Sequence, residues 1–178
     1  MRYSVSVQPA PDFPDGLQWF NTKRPRSVLE FRGKVLLIDF RPYCCNTHMY
    51  AIPPLKKLAR KYGNELAVVA VHSPQPGCNH GHPNIMQTIQ RHGICHPVAV
   101  DQDLKTWRKY SLSRWPVTVL IDPLGRLTAR HSSRDIFPVL DRQIKNLITE
   151  FDSRNLINRQ DEFTPSACSS EDFKSPSA

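Results

Sequence analysis

The chain has 178 residues and a formal net charge of +8, and 39% of its residues are hydrophobic. This length and apolar content are typical of one globular domain with its own core. The sequence holds no apolar run of about 18 residues, which argues against a membrane-spanning helix. Its first residues lack the apolar block of a secretory signal, so we expect a cytoplasmic protein whose thiols stay mostly reduced.

Composition divides the chain into three zones. Residues 1–16 are rich in Pro and Asp and are expected to form an extended arm. Residues 17–152 alternate strand-like and helix-like patterns and form the predicted domain. Residues 153–178 are rich in Ser, Pro and acidic side chains. Such a segment buries too little apolar surface to offset the entropy of ordering, so we expect a disordered tail.

The first half of the domain reads as strand, helix and strand. Residues 34–40 are a short apolar run that is typical of a buried strand, and residues 66–71 are a second run, rich in β-branched side chains. Residues 45–62 between them are long enough for a crossover helix. Pro53 and Pro54 must kink this helix or delay its start.

The second half of the domain begins with two helix-like segments, 84–92 and 103–110. Residues 117–121 then form a third apolar run, which predicts another strand. This run ends at the turn sequence Asp-Pro-Leu-Gly, after which residues 126–130 can return as a hairpin partner.

A final helix closes the domain. Apolar residues recur at helical spacing from Ile136 to Phe151, and Asp135 is the expected N-cap. Strands and helices in this order predict an α/β fold in which helices cover both faces of a central mixed β-sheet. We therefore expect a three-layer sandwich.

A cysteine motif follows the first predicted strand. Residues 40–48 read Phe-Arg-Pro-Tyr-Cys-Cys-Asn-Thr-His, and the carboxyl ends of such strands are where α/β proteins place ligands and reactive groups. A cysteine at a helix start is favoured as thiolate by free backbone N–H groups and by the helix dipole. On a helix, His48 shares a face with Cys45, so an imidazolium there can stabilise the thiolate. The alternatives are a plain polar His48 and a merely buried Cys44.

These residues carry a resemblance to a known family. The chain resembles thioredoxin-like proteins of the TlpA and alkyl-hydroperoxide-reductase-like group, most of all the thioredoxin-like module that precedes an NHL-repeat propeller. The matching residues are 17–21, 33–40, 43–45, 71–74, 96–98 and 115–126. The resemblance implies a thioredoxin-like fold, a thiol–disulfide oxidoreductase site, and a cis peptide bond before Pro116 that faces the motif.

The resemblance also assigns roles to residues around the motif, with Cys45 as the nucleophile. Together with the spacing argument for His48, the expected site residues are Cys45, His48 and Pro116 for catalysis, and Tyr43, Cys44 and Trp115 for binding. Trp115 can also be read as a packing neighbour that fixes the Pro116 turn. Related modules read Tyr-Cys-Cys-x-x-Cys, whereas this chain has His48 at the last position.

The missing second cysteine limits the expected chemistry. Thiol–disulfide exchange passes through a mixed disulfide, which a resolving cysteine one turn away releases. With His48 in that place, we expect monothiol exchange with protein or small-molecule thiols and disulfides, or redox sensing through a sulfenic acid. The alternative is a non-catalytic thioredoxin-fold module that binds a protein partner, and the sequence leaves open whether the protein is an enzyme.

A second cluster competes as a functional site. Cys78, His80 and His82 lie in one loop, and thiol and imidazole together suit zinc or copper. Their spacing does not match a common closed zinc site, and neighbouring Gly and Pro residues explain a solvated loop equally well. We therefore expect no metal and no other cofactor.

Charge and cysteine count constrain the partners further. The cationic residues are scattered, without a recognition helix or an aromatic stripe, which argues against nucleic acid as a partner. Five cysteines are an odd number and a poor disulfide framework. Cys95 is expected to pack beside a strand at residues 97–100.

Overall fold

The structure, a computed structural model, describes residues 8–24, 26–43, 50, 52–75, 85–132 and 136–160. The strands within them are β1 (Gln18–Phe20), β2 (Val35–Arg41), β3 (Leu66–His72), β4 (Val98–Val100), β5 (Val117–Ile121) and β6 (Leu127–His131). They form one sheet in the spatial order β1-β4-β3-β2-β5-β6. β3 lies parallel to β2 and β4, whereas β1–β4, β2–β5 and β5–β6 are antiparallel pairs. The predicted mixed sheet and its hairpin are confirmed.

β2 and β3 form the centre of the sheet, and every residue in both strands is buried. Leu37 pairs with Val68 on one side of β2, and Ile38 pairs with Val119 of β5 on the other. Burial on both faces explains why these segments read as continuous apolar runs rather than as alternating patterns.

Helices cover both faces of the sheet. They are α1 (Ile52–Tyr62), α2 (Ile85–Arg91), α3 (Lys105–Lys109) and α4 (Phe137–Asp152). Leucines of α1 and isoleucines of α4 enclose Leu37 and Val68 on one face, and α3 and a 3₁₀ turn at Val28–Phe31 pack with Ile38 on the other. The three-layer α/β sandwich is therefore confirmed. No helix in the described part of the chain is long and apolar enough to span a bilayer.

The first residues of α1 and α4 bear on two predictions made from the sequence. α1 begins at Ile52, so Pro53 and Pro54 stand in its first turn, where their missing N–H groups break no helical hydrogen bond. Of the two predicted effects of the prolines, a kink in the helix or a later start, α1 shows the later start. At the start of α4, Ile136 makes no side-chain capping bond, and the predicted cap Asp135 lies outside the described residues.

β1 is the strand that sequence patterns did not predict. It has three residues, too few to show an alternation of apolar and polar side chains. It pairs antiparallel with β4, with Trp19 opposite Ala99. Phe13 from the preceding arm is buried and meets Trp19 edge to face, with ring centroids 5.2 Å apart. The described part of the arm therefore packs on the domain, and its predicted extended form stays a prediction.

The chain also continues to make contacts after α4. The Asn158 N–H donates to the Gly33 carbonyl at 2.7 Å, and the Lys34 ammonium donates to the Asn158 carbonyl at 2.9 Å. Residues 153–160 therefore pack on the domain beyond the boundary expected at residue 152. Residues 161–178 lie outside the described residues, and their predicted disorder stays a prediction.

Candidate functional site

The predicted site divides into a frame that the structure describes and a motif that it does not. Outside the described residues lie Cys44, Cys45, His48, Cys78, His80 and His82. The structure does describe Tyr43, which directly precedes Cys44, and Trp115 and Pro116, which directly precede β5. The positions of the Cys45 thiol and the His48 imidazole therefore stay predictions.

Side chains at the carboxyl ends of β2 and β3 form a buried polar cluster. Asp39, Arg41 and His72 lie on the sheet face that α1 covers, since they alternate with apolar residues that face the other way. Arg41 donates to both carboxylate oxygens of Asp39 through Nε and Nη2. The Thr118 hydroxyl on β5 adds a hydrogen bond to Asp39 Oδ1 at 3.3 Å. Pairing makes the burial of both charges tolerable.

His72 fixes the backbone that leads into the cysteine motif. Its Nδ1 accepts a hydrogen bond from the Tyr43 N–H at 3.0 Å, and the two rings lie 5.5 Å apart. Burial lowers the pKa of His72 to about 4, although nearby Asp101 opposes the shift. The neutral ring carries its proton on Nε2, because Nδ1 is the acceptor. The residue directly before Cys44 is thus anchored to the end of β3.

Pro116 lies beside the same end of β2. Phe40 pairs with Val117, so the register places Pro116 at the level of Arg41. The Trp115–Pro116 peptide bond is cis, the isomer that the resemblance implies. The indole of Trp115 stacks on Trp107, with centroids 3.9 Å apart and planes 10° apart. This contact supports the interpretation of Trp115 as a packing residue. The distance between Pro116 and Cys45 stays a prediction, because Cys45 lies outside the described residues.

Cys95 follows a different course from the one expected. It lies between α2 and β4, near the strand that the sequence predicted, but its sulfur is disulfide-bonded. Cys95 therefore departs from the expectation of thiols that stay mostly reduced. The Sγ atom also lies 3.4 Å from the Gly93 carbonyl oxygen, and the side chain is partly exposed.

His96, next to Cys95, lies close enough to the polar cluster to interact with its charges. Burial lowers the pKa of His96 to about 4, and Asp39, Arg41 and Lys56 all act on it electrostatically. The loop before β4 thus approaches the ends of β2 and the start of α1. Among the described residues, no group of three or more His, Cys, Asp or Glu side chains is arranged to hold a metal ion.

Asp39 and His72 are not among the site residues predicted from the sequence, and Arg41 was predicted only as part of the motif's surroundings. A signal existed in each case, because Asp39 interrupts an apolar run and His72 ends one. Their proximity depends on the parallel register, in which Arg41 pairs with His72. Neighbouring strands must be known before such residues can be joined into one cluster.

Comparison with known proteins places this frame in a family. No protein-family model matches the chain. NHL repeat-containing protein 2 of Bos taurus is 36% identical over 120 residues, which are 66% of this chain but only 16% of that relative. Thiol-disulfide oxidoreductase YkuV of Bacillus subtilis is 26% identical over 143 residues, which are 80% of this chain and 96% of the relative.

Solved structures give the same result. A crystal structure of a thioredoxin-like superfamily protein superposes with a TM-score of 0.71 and 26% sequence identity, covering 79% of this chain and 96% of that one. The sheet and its covering helices therefore match a known fold over most of both chains. Sequence and structure agree that the chain belongs to the thioredoxin-like superfamily.

Proposed function

We propose that this protein carries out thiol–disulfide exchange, with Cys45 as the attacking thiol of a motif that holds only one exchange-competent position. The observation that supports this best is the anchored backbone before the motif, where the Tyr43 N–H bonds to His72 at 3.0 Å. A relative of nearly the same extent, YkuV, is named a thiol-disulfide oxidoreductase. A fixed strand end of this kind presents a reactive side chain in a defined position.

The thiolate is the reactive form of Cys45, and its surroundings are compatible with that charge. Three residues along the chain, His48 can place an imidazolium beside the sulfur. Asp39, the buried carboxylate on the preceding strand, is paired with Arg41 and so presents little net negative charge to a thiolate. The described part of α1 begins at Ile52, and the helix-dipole contribution at Cys45 therefore stays a prediction.

The proposed partners are protein and small-molecule disulfides, glutathione disulfide among them. Cys45 would attack one sulfur of the partner, form a mixed disulfide and expel one thiolate. Because His48 carries no thiol, the Cys-x-x-His motif has no internal route to release the adduct. Turnover through the motif alone is therefore expected to be slow.

The alkylation rate of each cysteine against pH, read by mass spectrometry, tests the role of Cys45. We expect Cys45 to react fastest of the five cysteines near neutral pH, because its neighbourhood favours the thiolate. His48→Ala should raise the pKa of Cys45 if the imidazole stabilises the thiolate. Cys44→Ser is the matched control, since it removes the adjacent thiol and should leave the Cys45 rate unchanged. A Cys45 that reacts only after unfolding would overturn the proposal and favour the non-catalytic binding module.

Turnover in an insulin reduction assay tests the missing second thiol. His48→Cys rebuilds a Cys-x-x-Cys motif and should raise turnover by at least about tenfold, because the new thiol can release the mixed disulfide. His48→Ser is the control of similar size without a thiol, and it should give no gain. If the unaltered protein already matched His48→Cys, the single-thiol motif would not limit the reaction.

A further inference from the structure

α1 carries four cations, and two of them are held by the neighbouring helix α4. The Lys57 ammonium lies 4.9 Å from the centroid of the Phe137 ring, and the Lys61 ammonium lies 2.6 Å from the Asp141 carboxylate. Phe137 and Asp141 both belong to α4. The side of α1 that faces α4 therefore supplies partners for the cations that point there.

The other two cations of α1 are Lys56 and Arg60, which are one helical turn apart. The Lys56 ammonium donates to the carbonyl of His92, the residue after α2. Arg60 acts electrostatically on Lys56, and Arg91 and Lys56 act on His92. We call these four residues, which come from two neighbouring helices, the α1–α2 basic patch.

No carboxylate balances this patch among the residues that the structure describes. Burial lowers the pKa of Lys56, and Arg60 lowers it further. Arg60 and Arg91 are exposed, and neither forms an ion pair within the described part of the chain. The carboxyl end of α2 supplies at most about half a negative charge through its dipole. That charge is too small to neutralise an ammonium and two guanidinium groups.

The sequence around the patch is almost free of acidic residues. Residues 40–100 contain six lysines and arginines but a single acid, Glu65. Glu65 lies beyond the carboxyl end of α1 and is paired with Arg159 at 2.6 Å. Segments 44–49 and 76–84, which lie outside the described residues, also contain no Asp or Glu. A counter-charge for the patch must therefore come from outside residues 40–100.

The patch borders the polar cluster of the candidate site. Lys56 acts electrostatically on His96, as do Asp39 and Arg41 of that cluster. It also stands one turn after Ile52, the first residue of α1. A molecule bound to the patch would therefore lie beside the candidate site.

We propose that the α1–α2 basic patch binds an acidic segment of a protein partner. Charge complementarity favours this occupant, because carboxylates offset the repulsion among the cations and pair with guanidinium groups through two hydrogen bonds. The spacing also fits, since alternate side chains of an extended segment are about 6.6 Å apart and Lys56 and Arg60 are separated by about 6 Å along the helix. The proposal does not depend on Cys45, and its failure would leave the proposed exchange reaction untouched.

Fluorescence anisotropy on the full chain tests this surface, with a labelled peptide of alternating glutamate and serine as the probe. We expect saturable binding that weakens as added salt screens the charges. Arg60→Gln together with Arg91→Gln should weaken the binding by at least about fivefold, because both guanidinium groups lose their carboxylate partners. Failure of the unaltered chain to bind the peptide would overturn the proposal.

Lys57→Gln together with Lys61→Gln is the matched control, because it removes the same number of charges on the side of α1 that faces α4. It should weaken the binding by less than about twofold. Equal losses in the two double variants would show that the peptide responds only to net charge, and they would overturn the proposal. A single-stranded oligonucleotide that bound more tightly than the peptide through the same arginines would also overturn it, in favour of nucleic acid.

The pKa of the His92 imidazole, followed by NMR, shows where the peptide binds. Burial lowers this pKa first, and Arg91 of α2 and Lys56 of α1 lower it further. Carboxylates bound at the patch offset these two cations, so a saturating amount of peptide should raise the pKa of His92. An unchanged pKa at saturation would place the peptide elsewhere and overturn the proposal.

The acidic residues of the chain's own C-terminal segment are the competing occupant. Outside the described residues, this segment contains Asp161, Glu162, Glu171 and Asp172. A variant with all four changed to the corresponding amides should bind the peptide as the unaltered chain does, because no tethered acid then competes in either protein. If only the amide variant bound the peptide, the patch would be occupied by the chain's own segment, and the proposal of a separate partner would be wrong.

Discussion

The two ends of β2 each bury a cation, and they hold it in different ways. Before the strand begins, Lys34 is 1% exposed, and its ammonium donates to the backbone carbonyls of Asn64 and Asn158. At the other end, Arg41 is also 1% exposed, but it binds the carboxylate of Asp39 on its own strand. One end thus uses neutral backbone oxygens and the other an ion pair.

The two cations differ in role, since Lys34 joins parts of the fold and Arg41 belongs to the candidate site. Asn64 lies in the turn between α1 and β3, and Asn158 lies in the segment after α4. Lys34 therefore links distant parts of the chain to the sheet. Arg41 and Asp39 are two residues apart on one strand, so their ion pair itself joins neighbouring positions of the chain. A buried pair of this kind is often replaceable by apolar side chains without loss of stability. Because the pair directly precedes the cysteine motif, we predict that it affects the electrostatics there.

The largest effect that we expect is from Arg41→Met. This substitution leaves the Asp39 carboxylate buried without its guanidinium, and the free energy of unfolding should fall by about 3–5 kcal/mol. Urea denaturation followed by circular dichroism measures the loss.

The double variant Asp39→Leu, Arg41→Met is the matched control, because it removes both charges together. It should recover most of the stability that Arg41→Met loses, yet it should still alter the alkylation rate of Cys45. A cost below about 1 kcal/mol for Arg41→Met alone would mean that Asp39 does not depend on Arg41 and would remove the contrast.

The fold could be predicted where a pattern was long and continuous. β2, β3 and β5 are buried on both faces and give uninterrupted apolar runs, and α4 repeats its apolar face over four turns. β1 could not be found in this way, because its three residues are recognisable only by their pairing with β4. The packing of residues 153–160 was missed for another reason, since it depends on hydrogen bonds from polar residues such as Asn158.

The candidate site shows the same division. The cysteine motif and Pro116 could be identified from local sequence and a family resemblance. His72 could not, because its contact with Tyr43 joins positions that only the β2–β3 register brings together. The disulfide of Cys95 was missed because spacing alone does not give the connectivity of five cysteines. Functional residues within one segment can therefore be identified from the sequence, whereas residues that neighbouring strands bring together cannot.

A smaller effect is expected at the amino end of β2, and it tests whether that end is only structural. Lys34→Met removes a charged donor and leaves the carbonyls of Asn64 and Asn158 without it, so the free energy of unfolding should fall by about 1.5–3 kcal/mol. Arg159→Ala is the control on the same C-terminal segment. Its exposed ion pairs with Glu65 and Asp152 should contribute no more than about 1 kcal/mol. Because Lys34 lies at the opposite end of β2 from the motif, Lys34→Met should leave the alkylation rate of Cys45 unchanged in the folded protein. If Lys34→Met shifted that rate as much as the loss of the Asp39–Arg41 pair does, the two buried cations would not differ in role, and the electrostatic argument for Arg41 would fail.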